Sequence, residues 1–372
     1  MLLWITIVFL LAYGVLLLFY KQAWEHADDY VMDGTGHQTF ISVIIPARNE
    51  EKNIGSLLLS LQQQSYPKEL FEIIVVDDYS SDNTASVVRS FELPNLHLSA
   101  PQLTNNNSSK KKAIEAGIRQ AKGELIVTTD ADCQLPENWL STISSFYNDK
   151  KASFIAAPVK FSHNNSFLQI FQALDFMTLQ GITAASVSSG FHNMCNGANL
   201  AYRKQSFKDV NGFDGIDQVA SGDDMLLMYK IWKKDPRGVY YLKSREAIVS
   251  TQPMLSIRSF YNQRKRWASK TMVYKDYRIL AVLAFIYLLN CLFIVLLITA
   301  AWHPVNALYA LGFLIVKTLI EWPFVSSVAR FYSEQPLMKY FPLFQPLHII
   351  YTVVVGFSSQ LGSYEWKGRR TK

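Results

Sequence analysis

Cysteine is scarce: the chain has three, Cys133, Cys195 and Cys291, among 372 residues. An odd count without metal-ligand spacing argues against a disulfide framework and for a reduced compartment. Charged residues are few as well, 18% against 49% hydrophobic, and mean hydropathy lies just above zero. That balance is high for a purely soluble enzyme, so part of the chain is expected in a membrane. No nucleic-acid-binding motif is present, and the net charge of +6 crowds into 258–278 and the C-terminus, a pattern suited to anionic lipid or phosphate rather than to a duplex. The first apolar run, Leu2 to Tyr20, has no basic residue before it and no small-residue cleavage site after it. It therefore reads as a membrane-spanning helix and not as a signal peptide.

Beyond this run the chain alternates strand and helix. Residues 21–39 form a polar linker containing Glu25, His26, Asp28, Asp29 and Gly34 to Gly36, and a soluble domain begins near Phe40. Ile41 to Pro46 reads as a buried strand, Asn49 as a helix cap, and Ile54, Leu57, Leu58 and Leu61 recur at helical spacing. Phe71 to Asp77 is the second strand, Asp82 or Thr84 starts the next helix, Leu96 to Leu98 is a short strand and Lys110 to Lys122 a helix. This succession predicts a doubly wound, mostly parallel α/β sheet with right-handed crossovers.

Polar residues gather at three strand ends: Pro46-Ala-Arg-Asn-Glu50, Asp77-Asp-Tyr-Ser-Ser-Asp82 and Asp130-Ala-Asp132. Ligands collect where such strands end, and i and i+2 carboxylates on one extended face can address a single hard cation that also holds phosphate oxygens. Capping and turn formation account for single Asn and Asp residues, but not for paired acids at two successive strand ends. Farther on, Asn211 to Gly215 reads as a turn before the acidic patch Ser221-Gly-Asp-Asp224, where Ser221 or Asp223 could also cap the apolar helix beyond it. Gln263-Arg-Lys-Arg-Trp267 puts Gln263, Arg266 and Trp267 at i, i+3 and i+4, with Arg264 and Lys265 turned partly away. The same basic segment also reads as an amphipathic helix on anionic lipid.

Taken in order, P-A-R-N-E, V-V-D-D-Y-S, T-D-A-D and Q-x-x-R-W resemble the inverting family 2 glycosyltransferases of the GT-A fold, over roughly residues 40–270. The resemblance implies a nucleotide-sugar donor, a UDP- or GDP-sugar, contacted by Ala47, Arg48, Glu50, Asp78, Lys110 and Asp130. It also implies Mg²⁺ or Mn²⁺ on Asp132, Asp224 as catalytic base, and Asp223, Gln263, Arg266 and Trp267 on the acceptor or the diphosphate. Two departures stand out: Ser109 replaces the glycine of the usual glycine-lysine pair, and Asp223 stands where glutamate is commoner. Asn196 to Asn199 and Leu200-Ala-Tyr-Arg203 resemble the family segment that lines the sugar, and Trp366-Lys-Gly-Arg369 a C-terminal signature of some membrane members.

Beyond Arg278, Ile279 to Trp302 carries no charge, and Val305 to Val328 is interrupted only by Lys317 and Glu321. Those two form either an intramembrane ion pair or, with Trp322 and Pro323, a membrane boundary ahead of a surface-lying Phe324 to Phe341. Four full spans would leave the basic tail outside, against the positive-inside bias. The proline-broken stretch Phe341 to Leu361 is therefore expected to be re-entrant or interfacial. The expected plan is a transmembrane helix at 1–20, the linker 21–39, a cytosolic catalytic domain at 40–257 and a basic interfacial helix at 258–278. A membrane region at 279–361 with two or three spans and a tail at 362–372 complete it. The expected activity is transfer to a lipid or lipid-linked saccharide at the cell membrane. A processive polysaccharide synthase is the main alternative, and an inactive sugar-nucleotide-binding scaffold the next.

Overall fold

The computed structural model describes residues 2–32, 39–101, 110–164, 166–217, 222–360, 364–366 and 369–371. Gly34 to Gly36, Ser109 and Ser221 lie outside the described residues, as do the side chains of the tail signature. In chain order the elements are α1 (Leu2–His26), β1 (Ile41–Ala47), α2 (Ile54–Gln62), β2 (Phe71–Asp77), α3 (Thr84–Arg89), β3 (Leu96–Ser99), α4 (Lys110–Gln120), β4 (Leu125–Thr128), α5 (Trp139–Lys150), β5 (Phe154–Ala156), β6 (Val159–Phe161), α6 (Phe167–Ser188), β7 (Leu200–Arg203), α7 (Lys204–Asp209), α8 (Met225–Lys234), β8 (Val239–Tyr241), β9 (Val249–Thr251), α9 (Ile257–Ser269), α10 (Tyr277–Thr299), α11 (Val305–Phe331), α12 (Phe341–Ser359), β10 (Tyr364–Trp366) and β11 (Arg369–Thr371). They fall into two units, one of Asp28–Ser162 and Asn193–Gln252, the other of Met1–Ala27, His163–His192 and Pro253–Lys372.

The first unit is built on a seven-stranded sheet in the order β3-β2-β1-β4-β7-β5-β8. β1 pairs parallel with β2 and β4, β2 with β3, and β5 with β8, while β7 runs antiparallel between β4 and β5. This is the expected mixed, mostly parallel sheet. Its central strands are buried almost throughout, as parallel strands covered on both faces must be. Two glycines permit the close packing. A Cβ on Gly117 of α4 would come within 2.6 Å of Ile44, and one on Gly123 within 2.6 Å of the Ser42 amide. The carboxylate of Glu72, buried inside the sheet, accepts from Ser42 Oγ at 2.6 Å and from the Lys122 amide at 2.5 Å.

Asn49 does not cap a helix. α2 starts only at Ile54, and Asn53 occupies the capping position without a side-chain hydrogen bond. Asn49 instead adopts φ +52°, with its Oδ1 accepting from the Ser81 amide at 2.8 Å, and so ties two strand ends together. Capping preferences favour a local use of Asn, whereas the chain uses it across the sheet.

The second unit is helical. Residues 21–26, expected in the linker, continue α1, because Lys21 and Glu25 pair at 2.7 Å one turn apart and Trp24 is buried. Among the described residues four helices are long and apolar enough to cross a membrane: Leu2–His26, Tyr277–Thr299, Val305–Phe331 and Gln335–Ser359. α11 runs unbroken through Pro323 to Phe331, so Phe324 does not begin a separate surface segment. Lys317 and Glu321 are buried on it, 2.5 Å apart, and Gln345 and Tyr13 complete the cluster. A buried ion pair demands such extra partners.

His192 is buried in this unit, its Nε2 2.8 Å from Tyr20 Oη and 3.1 Å from Ser186 Oγ. Burial pushes its pKa down to about 4, with Asp276 opposing the shift and Arg278 reinforcing it. Unfolded histidine titrates near 6.5, so between these values the unfolded chain holds a proton that the folded one refuses. Stability should be complete above about pH 6.5 and fall toward pH 4 by an amount on the order of 2–3 kcal/mol. In His192→Asn the thermal midpoint in detergent should drop less over that interval than in the parent; equal acid slopes in the two proteins would clear His192 of this role.

Candidate functional site

The carboxyl ends of β2, β1 and β4 are neighbours in the sheet, so the three polar strand ends expected to form a site do meet. Ala47 ends β1 fully buried, and its carbonyl accepts from the Asp78 amide at 2.8 Å. Arg48 Nη1 donates to the Asp78 carbonyl at 2.6 Å, with the Asp78 carboxylate 3.9 Å away. Glu50 is buried, accepts from Asn53 Nδ2 at 2.7 Å and donates its amide to Thr84 Oγ1 at 2.8 Å. Asp82 accepts from the Glu51 amide at 3.1 Å while Glu51 accepts from the Asn83 amide at 3.0 Å. These reciprocal bonds hold the first two strand ends in one frame, and Tyr79, at φ +56°, marks the sharp turn out of β2.

The third strand end carries the electrostatics. Lys110 opens α4, and its Nζ lies 2.5 Å from Asp130 Oδ1 and 3.3 Å from Asp223 Oδ2. Lys110 thus meets the acids, while Lys111, buried, donates to the Ile216 carbonyl at 2.5 Å and pins the turn expected there. Burial alone would push the Lys110 pKa down, but Asp130, Asp223 and Asp224 hold it well above the ordinary lysine range. Asp132 is half-buried beside this pair, next to Cys133, whose thiol burial and the Asp130 and Asp132 charges keep protonated.

The acidic patch reaches the same place. Gly222, at φ +82°, turns the chain into α8, and Asp224 is its N-cap, Oδ1 accepting from the Met225 amide at 2.8 Å. The capping expected of Ser221 or Asp223 thus falls to Asp224. Gly197 packs against all of it: a Cβ there would lie 3.1 Å from Lys110 Nζ, 3.4 Å from Asp223 Oδ2 and 3.6 Å from Asp224 Cβ. Gly197 is not among the expected site residues, and only its place in Asn196 to Asn199 hints at it. Asn199 of the same segment cannot line a sugar. It is fully buried, accepting from Trp139 Nε1 at 3.0 Å and donating to the Pro158 and Ala247 carbonyls at 2.8 Å.

In the helical unit, α9 starts at a capping box of Ser256 and Ser259 and carries Gln263, Arg266 and Trp267, all half-buried. Arg264, expected to turn away, is instead the most buried of the motif, 3% exposed. It pairs with Asp175 of α6 at 2.7 Å and lies 4.2 Å from the centre of the Trp267 ring and 5.0 Å from that of Phe260. Tyr351 Oη donates to Asp175 at 2.6 Å, and His348 Nε2 is 3.5 Å away. Spacing within α9 cannot reveal a partner some ninety residues earlier in the chain, and that partner decides which face is inward.

Residues 42–210 match the family described as Glycosyl transferase family 2. These residues, less than half of the chain, are similar to a family 2 glycosyltransferase domain. The chain is 28% identical over 186 residues to glycosyltransferase AglE of Haloferax volcanii, covering 50% of this chain and 59% of that protein. It is 26% identical over 236 residues to a poly-beta-1,6-N-acetyl-D-glucosamine synthase of Staphylococcus epidermidis, covering 61% and 53%. It therefore spans less than two thirds of either relative. The fold is shared with the mannosyltransferase PcManGT of Pyrobaculum calidifontis, solved with GDP-Man and Mn²⁺, at a TM-score of 0.66 and 22% identity over 96% of this chain and 99% of that one.

The carboxylates of the glycosyltransferase domain fit a hard divalent ion that keeps phosphate oxygens and water in most of its positions, since such an ion takes one or two protein carboxylates. Asp130 and Asp132 offer that number, from a turn in which the Cys133 amide donates to the Asp130 carbonyl at 3.2 Å and not from the single extended face expected. Among the described residues no group of three or more His, Cys, Asp or Glu side chains forms a closed cage.

The buried pair beside Trp267 generates a separate expectation. Removing one partner of a buried ion pair strands the other, at a cost of about 3–5 kcal/mol. Asp175→Asn and Arg264→Met should each destabilise the protein by that order in thermal or denaturant unfolding, and the double variant should recover part of the loss. Single variants as stable as the parent would mean that the pair is not held as described.

Proposed function

We propose that the chain is a membrane-anchored, metal-dependent glycosyltransferase that moves a sugar, with inversion, from a UDP- or GDP-sugar to a hydroxyl of a lipid or lipid-linked saccharide. The observation that carries this reading is the convergence of Asp130, Asp223 and Lys110 around the Cβ-less space at Gly197, which joins the strand end suited to a nucleotide with the acidic patch suited to an acceptor. Arg48, Glu50 and Asp78 are assigned to the nucleoside, since carboxylates accept from ribose hydroxyls or a base N–H. Asp132, with Asp130 beside it, would hold the divalent ion. Bound there, Mg²⁺ or Mn²⁺ would stabilise the charge that develops on the diphosphate as the glycosidic bond breaks. Gln263, Arg266 and Trp267 are assigned to acceptor or diphosphate, where an arginine fork and an indole face suit phosphate and sugar.

Of the two neighbouring acids, Asp224 is assigned as the base, the Met225 amide fixing the orientation of its carboxylate, while Asp223 Oδ2 is turned to the Lys110 ammonium. Inversion then needs only the acceptor oxygen attacking the anomeric carbon opposite the leaving nucleotide, its proton passing to Asp224.

For the membrane, the exposed Trp4 and Trp302 at one set of helix ends suit an interfacial belt. α10 and α11 are aligned by Phe293 against Phe313. On α12, Gln345 meets Lys317 midway along α11, and Gly356 meets Tyr287 midway along α10. Those two positions are about 16 Å apart along α12 yet meet their partners at nearly one depth. That supports an α12 lying across the bundle, with the basic tail on the side of α9, in keeping with the positive-inside bias.

The relative named as a polysaccharide synthase favours a second reading, processive addition, which counting sugars per acceptor would separate from single transfer. Asp224→Asn keeps the shape but cannot take the proton. It should bind donor and metal nearly as before while losing transfer by roughly 10²–10⁴-fold, with Asp223→Asn losing less. Near-normal turnover in Asp224→Asn, or a larger loss in Asp223→Asn at equal donor binding, would place the base elsewhere.

A further inference from the structure

We propose that Lys110 is an internal counter-cation: in the donor-free protein it neutralises the carboxylates of the site, and on donor binding it passes to the diphosphate, making metal and nucleotide binding cooperative. This rests on the function proposed above and deepens it. Asp130 and Asp223 stand 93 residues apart in the chain, and Lys110 Nζ is a cation between them, at 2.5 and 3.3 Å, with Asp224 adding to the same field. The Lys110 and Asp223 side chains keep only 19% and 11% of their exposure and Asp130 keeps 36%, so water reaches Asp130 but screens Asp223 poorly, and the acids would repel one another more strongly without a cation. Gly197 leaves room for that cation, since its missing Cβ would press on Nζ at 3.1 Å.

This arrangement sets the order of binding. A divalent ion arriving alone meets carboxylates already neutralised by an ammonium, and its own charge is opposed by that of Lys110. An ion arriving with a nucleoside diphosphate brings net negative charge. Lysine, a point charge on a flexible stem with three rotatable donors, can then turn from Asp130 to a phosphate oxygen and release the carboxylate. No covalent bond changes. The coupling is reciprocal, so nucleotide should raise metal affinity by the factor by which metal raises nucleotide affinity.

The test is Mn²⁺ binding by the full-length protein in detergent, monitored by the electron paramagnetic resonance of free Mn²⁺ with and without GDP or UDP. In the parent, Mn²⁺ should bind weakly alone and about 10-fold or more tightly with nucleotide. In Lys110→Met, Mn²⁺ alone should bind about 10-fold more tightly than in the parent and gain little from nucleotide. Lys110→Arg, which keeps the charge, should behave as the parent, and Lys110→Gln takes the place of Lys110→Met should the latter not fold. A parent that binds nucleotide without any gain in Mn²⁺ affinity, or a folded neutral variant with the parent's affinity for Mn²⁺ alone, overturns this inference and leaves the proposed function standing. A parent that binds neither GDP nor UDP overturns both.

Discussion

Carboxylates cannot be gathered out of water without a cation, and the glycosyltransferase domain is arranged around that constraint. Lys110 reaches Asp130 and Asp223 because α4 begins where β4 ends, and α4 lies close on β1 because Gly117 lacks a Cβ that would strike Ile44. The parallel strands place their carboxyl ends side by side, and the cross-links of Asn49, Asp82 and Glu51 tie the ends of β1 and β2 to each other. Under the proposed function a divalent ion and a diphosphate would meet the same requirement, supplying both positive charge and a new partner for the displaced ammonium.

The helical unit obeys the same rule under harsher conditions. Asp175 is shielded from water and is met by Arg264, Tyr351 and His348, while Lys317 and Glu321 are met by Gln345 and Tyr13. In each cluster the partners come from different helices, so the buried charges fix how those helices pack, a specificity that apolar contacts between smooth helices supply poorly. Trp267 inherits its position from this arrangement, since one face of its ring lies against the Arg264 guanidinium.

β1, β2 and β4 are legible in the sequence because each is a continuous apolar run bounded by polar residues, and Phe71–Asp77 is delimited to the residue, whereas the short strands β5, β7 and β8 are not among those read from the sequence. The acidic strand ends and the patch at Asp223 and Asp224 are legible as pairs of like charge, which local capping explains poorly. The rest depends on partners distant in the chain. Nothing around Asn49 announces Ser81, nothing around Arg264 announces Asp175, and nothing in the lysine triplet says that Lys110 meets the acids while Lys111 meets the Ile216 carbonyl. Asn199 misleads for the same reason: an Asn in a motif looks like a ligand contact until Trp139, Pro158 and Ala247 are found to use its whole amide.

Whether the strand-end carboxylates hold a nucleotide-sugar through a divalent ion is decided by thermal unfolding of the full-length protein with a panel of UDP- and GDP-sugars. At about a hundred times its dissociation constant a true donor should add about 2.7 kcal/mol of stability, seen as a raised midpoint that requires Mn²⁺ or Mg²⁺ and is abolished by chelation. A folded protein whose midpoint no nucleotide-sugar raises, or one protected equally well with the metal chelated, would contradict a metal-bridged donor site.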